Sequence, residues 1–347
     1  ELGYCRMERM CYDVQAVQTF RENIVHDIVP VVSRLRLENA KRLGIDTFRL
    51  YDNEVFTPGG DPTPCGKEAL FAAAQKMYDG MGDVPGAFFR MMCENEAFDV
   101  DARPNKWGGG YCTEFVKYHQ PFILANFNGT SGDVDVVTHE AGHALNAYLI
   151  ANNRFALELG CGGMETAETH SMSMEFFAWP YLDGFFPQAG DAQRYRFQHA
   201  LDALSFLPYG TMVDEFQHRI YAEPDLTSAG RNAVWLELEA KYRPYIDQRG
   251  IPYLERGTRW QYQMHIYETP FYYIDYCLAQ TAAFQFLLAS QDDYDGAFAR
   301  YLHLSQQGGE KLWTDLLTEA GFRSPFAPGA LAQLAAQVEP LIRRQNI

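Results

Sequence analysis

The feature that most constrains this chain is a run of apolar helix with three ionisable side chains set into it. In SGDVDVVTHEAGHALNAYLIANN (residues 131–153), Val136, Val137, Ala141, Ala144, Leu145 and Leu149 recur at helical spacing, and His139, Glu140 and His143 stand among them. Four-residue spacing puts the two imidazoles on one helix face about one turn apart. Such groups are costly to bury without partners, so the fold must bring something to them. With nine His in 347 residues, the string HExxH arises by accident in roughly one or two such sequences per hundred. The apolar setting argues against accident.

Two imidazoles so placed can bind one zinc ion. Glu140, one residue past the first, can reach a metal-bound water without being a ligand, as a general base requires. Catalytic zinc takes three protein ligands and keeps a position for water. The metzincin pattern would require His at 149; Leu149 stands there and excludes that class. Downstream, GGMETAETHSMSMEFFAWPYL (162–182) offers Glu165, Glu168, His170 and Glu175 on sequence that reads as a helix after the Gly160 to Gly163 turn. Glu168 and Glu175 are seven residues apart and share a face. One could bind zinc while the other orients a ligand imidazole. Met172, Met174, Phe176, Phe177 and Trp179 predict that this helix is buried.

At 347 residues, 47% of them hydrophobic, the chain can bury a substantial core. It has no run of eighteen apolar residues, and its start, ELGYCRMERM, lacks the form of a secretory signal. The seven cysteines (5, 11, 65, 93, 112, 161 and 277) are odd in number and scattered, which predicts reduced thiols in a cytoplasmic setting; no CxxC pair offers a cysteine-built metal site. A net charge of −16 argues against nucleic acid or an anionic membrane as partner. Neither a Walker-type loop nor a GxGxxG after a strand is present. The chain opens on Glu1 rather than Met and enters apolar-periodic sequence at once, so a piece of a longer protein is expected.

Periodicity predicts helices over 1–100, with a kink or break at Pro30 and a loop at VFTPGGDPTP (55–64). Between about 106 and 128 the aromatic and β-branched texture, bounded by Gly, Pro and Asn, predicts a small sheet of two or three strands. Helices are predicted again over 131–180 and 190–347, with breaks at Pro208 to Gly210, Pro224, Gly250 to Pro252, Pro270 and Pro325 to Gly329. The predicted fold class is therefore mainly α, with one small sheet beside the HExxH helix.

HEAGH together with AETHSMSME, whose Glu168 lies twenty-five residues beyond His143, resembles the thimet oligopeptidase and oligoendopeptidase F family of zinc metallopeptidases, most closely its smaller bacterial oligoendopeptidases. In that family the third ligand is the first Glu of E-x-x-S-x-x-x-E, here Glu168, Ser171 and Glu175. The resemblance implies Glu168 as zinc ligand and Glu175 as the carboxylate that orients an imidazole; Glu165 falls outside the pattern. HIYETPFYYIDYCLAQTAAFQF (265–286) resembles the family's His-plus-tyrosines segment. This implies hydrogen-bond donation to the peptide carbonyl as it becomes an oxyanion, by His265 with Tyr272 or Tyr276. A helix starting after Pro270 would put Tyr272 and Tyr276 on one face and favour them over Tyr273, which is placed with the substrate-binding residues. Ile274 occupies one place where some members carry Tyr. GGGYCTEFVKYHQPFILANFNGTSGDVDVVTHEAGH (108–143) resembles the short strands leading into the metal helix. An edge strand there could hold substrate by strand addition, with Phe122, Leu124 and Asn126 as candidates.

The resemblance covers most of the chain, but family members carry roughly two hundred further residues, mostly helical, ahead of the point equivalent to Glu1. In the family that part supplies much of one wall of a deep channel admitting short peptides. The expectation is therefore one catalytic region over 1–347, a single Zn2+, and hydrolysis of internal bonds in short peptides with Glu140 as base. A separate N-terminal fragment would be a partner. The alternative expectation is a catalytically impaired, zinc-containing peptide binder that needs that missing part; a further one is an all-α protein that uses HEAGH for packing.

Overall fold

The computed structural model describes residues 2–7, 9–153, 160 and 162–345. In chain order the first helices are α1 (Leu2–Arg6), α2 (Val14–Asn23), α3 (Val29–Arg42), α4 (Lys67–Met81) and α5 (Asp83–Glu94). Strands β1 (Phe98–Asp101), β2 (Tyr111–Phe115) and β3 (Gln120–Phe127) come next. Then come α6 (Gly132–Asn153), α7 (Met164–Phe177), α8 (Asp191–Ala222), α9 (Ser228–Tyr242), α10 (His265–Glu268), α11 (Tyr273–Asp292), α12 (Tyr294–Ser305), α13 (Trp313–Glu319) and α14 (Ala330–Gln345). The architecture is mainly helical with a small sheet beside the HExxH helix, as the sequence predicts. Two compact units divide the chain. A helical unit takes the residues up to Gly60 with Phe197–Thr281 and Arg323–Arg344; a sheet-bearing unit takes Asp61–Arg196 and Ala282–Phe322.

Within the helical unit, the expected break at Pro30 is a change of helix type just ahead of it. Proline has no N–H and its ring crowds the carbonyl four residues back. The turn Ile24–Ile28 widens to a π-helix, with Val29 N–H reaching Ile24 O, and α3 resumes with Pro30 in its first turn. The expected break at Pro208 to Gly210 does not occur, because α8 runs through it. Gly210 is there for packing: a Cβ on it would stand 2.4 Å from Cys277 Sγ on α11.

In the sheet-bearing unit, the helix α5 ends at Glu94, short of the helical stretch expected to residue 100, and it stops through Glu96 rather than a glycine. Glu96 takes φ 52°, and the N–H groups of Ala97 and Glu96 return to Met92 O and Cys93 O at 2.9 and 3.1 Å. The four residues after Ala97 form β1, a strand inside the region expected to be helical. The sheet order is β1-β3-β2, with β1 parallel and β2 antiparallel to β3. The turn into α6 is held by Asp133, whose carboxylate accepts from Asn128 N–H at 3.0 Å and Gly129 N–H at 2.8 Å. Val134, Val137, Ala141, Ala144 and Leu145 are fully buried, and they seat α6 in the core.

Candidate metal centre

Two packed helices build the site. Gly142 lets α6 and α7 approach: a Cβ there would meet Ser171 Cα at 2.8 Å and His170 O at 2.9 Å. That closeness carries the α7 carboxylates to the α6 imidazoles. Glu168 Oε2 lies 3.6 Å from His139 Nε2 and 3.5 Å from His143 Nε2, and the three ligand atoms all fall within 4.8 Å of one another. A tetrahedral zinc ion with bonds of about 2.0–2.2 Å requires neighbouring donors about 3.3–3.6 Å apart. The donor set and its spacing fit zinc. The imidazole side chains keep 25% and 21% exposure while Glu168 keeps 5%, so the cluster is approachable from the imidazole side.

Two of the three ligands are held from behind. Glu175 Oε1 accepts from His139 Nδ1 at 2.6 Å, which fixes the tautomer that leaves Nε2 aimed at Glu168. Burial disfavours a charged His139, but the Glu175 hydrogen bond and charge, with Glu168 and Glu140, outweigh it and raise its pKa to about 9. Ser171 Oγ lies 3.0 Å from Glu168 Oε2 and 3.1 Å from Glu168 O. The carboxylate of Glu140 comes from the same helix toward the head of β2, close to Gly110. Its charge is felt there: burial first, then Glu140 and Glu114, push the Cys112 thiol up to about 12.

The matching family model is that of peptidase family M3, over residues 83–336, most of the chain and all of this cluster. The chain belongs to peptidase family M3. Among curated proteins it is similar to oligopeptidase PepF of Bacillus subtilis (strain 168), 25% identical over 316 residues, 86% of this chain and 45% of that protein. Among solved structures it is similar to PZ peptidase A with inhibitor 2, with a TM-score of 0.95 and 44% identity, covering 99% of this chain and 62% of that one. A putative oligoendopeptidase F from Bacillus anthracis str. Ames gives 0.88 and 39%, covering 99% and 58%. This M3 chain thus spans about half to three fifths of the length of these relatives.

The strand residues differ from expectation. Phe122, Leu124 and Asn126 lie on β3, the central strand, whose main chain is paired on both sides, with β1 along Ile123 and Leu124 and with β2 from Gln120 to Leu124. Strand addition there is closed; the open edge on the Glu140 side of the sheet belongs to β2. The side chain of Asn126 instead ties down the glycine-rich loop, donating to Trp107 O at 2.9 Å and Gly109 O at 3.0 Å.

In the helical unit of this M3 chain, His265, Tyr272, Tyr273 and Tyr276 form one aromatic cluster. The His265 ring lies 6.2, 4.9 and 6.0 Å from the three tyrosine rings in turn. The helix α11 starts at Tyr273 rather than directly after Pro270. Tyr273 is buried, whereas Tyr272 and Tyr276 are half-buried. Two residues that sequence reasoning passes over set His265: Tyr209 OH donates to Gln263 Oε1 at 2.7 Å, which turns the Gln263 amide N–H toward His265 Nδ1 at 2.9 Å. Nε2 then carries the imidazole proton and is a donor. Nothing in the local sequence marks Gln263 apart from its place two residues before His265.

Proposed function

We propose that this chain is the catalytic part of a zinc-dependent endopeptidase that hydrolyses internal bonds of short peptides. The observation that carries the reading is the convergence of His139, His143 and Glu168 at zinc-ligand spacing, with Glu140 beside them on the same helix. His139 and His143 would hold the ion through Nε2 and Glu168 through Oε2. When bound, zinc polarises the scissile carbonyl and acidifies the attacking water. Glu175 keeps the His139 proton on Nδ1 throughout. Glu140 takes a proton from the attacking water and delivers it to the amine nitrogen as the carbon–nitrogen bond breaks.

The roles of His265, Tyr272 and Tyr276 as donors to the carbonyl oxygen rest on the family resemblance, supported by the donor tautomer that Gln263 sets on His265. Tyr273 is assigned to substrate contact on the same resemblance. A reducing, cytoplasm-like compartment belongs to the proposal: Cys5, Cys65, Cys93, Cys112 and Cys277 are free thiols. Among the described residues no helix is long and apolar enough to cross a membrane.

Glu140→Gln tests the reading on quenched peptides of roughly five to fifteen residues. The variant should keep its zinc and lose about 10²–10⁴-fold in turnover. Cleavage at the parental rate would remove Glu140 from the role of base. Bound zinc and peptide with no cleavage by the parent chain would favour the impaired peptide binder instead.

A further inference from the structure

Phe271 holds a backbone geometry that bulky residues rarely take. Its φ is +67°, in the left-handed region, where a non-glycine residue persists only if its surroundings over-determine it. The surroundings here do so. Its N–H donates to Gln217 Oε1 at 2.8 Å, and its carbonyl accepts from Arg9 Nη2 at 2.5 Å. Its ring is flanked by Tyr4, His218 and Tyr221 at centroid distances of 6.1, 5.0 and 5.1 Å. Gly3 permits the approach of α1, since a Cβ on it would stand 2.7 Å from the Phe271 ring.

Arg9 does more than hold one carbonyl. The same Nη2 donates to Asp275 Oδ1 at 2.7 Å, an oxygen that also accepts from Tyr12 OH at 2.8 Å. The Arg9 and Asp275 side chains are 1% and 2% exposed. Asp275 N–H closes the turn on Tyr272 O at 2.9 Å. One buried guanidinium thus spans residues 271 and 275, the two ends of the segment that presents Tyr272 and leads directly into Tyr276. Buried ion pairs add little net stability, and one retained at a strained turn is better explained by the geometry it specifies.

We propose that Arg9 is a positioning residue for the tyrosine segment, clamping the Phe271 turn and Asp275 so that Tyr272 and Tyr276 are held ready as donors. The proposal rests on the role given to those tyrosines above. Its test uses the full chain loaded with zinc, in the variants R9A, R9K, Y272F and Y276F and the doubles R9A/Y272F and R9A/Y276F. Arg9→Ala should lower kcat on the order of tenfold with KM little changed, and Arg9→Lys should recover part of that loss. The tyrosine losses should shrink in the Arg9→Ala background, because the clamp and the hydroxyls act through one geometry. Independently of turnover, amide exchange in Arg9→Ala should speed up over residues 269–276 and not across α9. Additive losses, or exchange over 269–276 matching the parent, would overturn the proposal. If Y272F and Y276F leave kcat intact in the otherwise unaltered chain, the tyrosine assignment fails first and takes the clamp's purpose with it, leaving the roles of zinc and Glu140 untouched.

Discussion

On one face of α7, Glu168 and Glu175 stand against the imidazoles of α6; on the other, Thr169 and His170 lie sealed under α12 and α13. Both faces bury a histidine, and they do so by opposite means. His139 faces three carboxylates and is raised to about 9. His170, 2% exposed, is hydrogen-bonded by hydroxyls, with Ser305 Oγ at 3.1 Å from its Nδ1 and Tyr301 OH at 3.0 Å from its carbonyl. Burial, with the nearby His143, lowers it to about 3. The face that gathers negative charge suits a cation, and the neutral face serves as the wall that keeps α7 in place. Trp313 Nε1 completes that wall by donating to Thr169 Oγ1 at 3.0 Å.

The comparison breaks most sharply if Glu168 is removed. Glu168→Ala should abolish stoichiometric zinc and turnover together while the fold persists, as elemental analysis and circular dichroism would report. Glu175→Gln should weaken zinc by about 10–100-fold without removing a ligand, since it only holds His139 in orientation; competition with a chelator measures this. If that variant bound zinc as tightly as the parent, the two faces would be less different than their charges suggest. Gly142→Ala should cost about 1–3 kcal/mol in denaturant unfolding by forcing α6 and α7 apart, and should loosen zinc as well.

pH separates the two histidines by sign. In the metal-free chain His139, raised from 6.5 to about 9, contributes stability that is present below pH 6.5 and lost as pH rises through 9. Zinc must displace its extra proton, so zinc affinity should rise over the same window. His170, lowered from 6.5 to about 3, contributes stability that is present above pH 6.5 and lost as pH falls toward 3. Unfolding of the parent and of His170→Gln should therefore diverge on the acid side only. The smallest expected effect is that of Trp313→Phe, about 0.5–1.5 kcal/mol of stability with zinc binding unchanged, which would show that the neutral face is structural.

Much of this architecture is legible in the residues alone. HEAGH on an apolar helix and the carboxylates of the next buried helix leave few arrangements in which three ionisable groups can be compensated, and the α6–α7 pair is one of them. The loop at 55–64 and the strands β2 and β3 are readable locally, from turn chemistry and texture. What misleads is also local. Pro208 and Gly210 look like breakers, but the glycine answers to Cys277, 67 positions along the chain. Glu96 turns the chain without the glycine that would announce it, so β1 reads as helix. Strand order leaves no mark in a single strand's sequence, and Phe122 to Asn126 read equally well as edge or centre.

The sequence by itself determined the donor types, their helical phase and the apolar context that makes an unpartnered cluster untenable, because helix geometry and residue chemistry are short-range properties. Only the tertiary structure decided which carboxylate meets which imidazole, which strand is left open, that Gln263 sets the His265 proton and that Arg9 grips Phe271. Those choices depend on distances between segments far apart in the chain, and such distances are fixed by close packing, to which no local pattern has access.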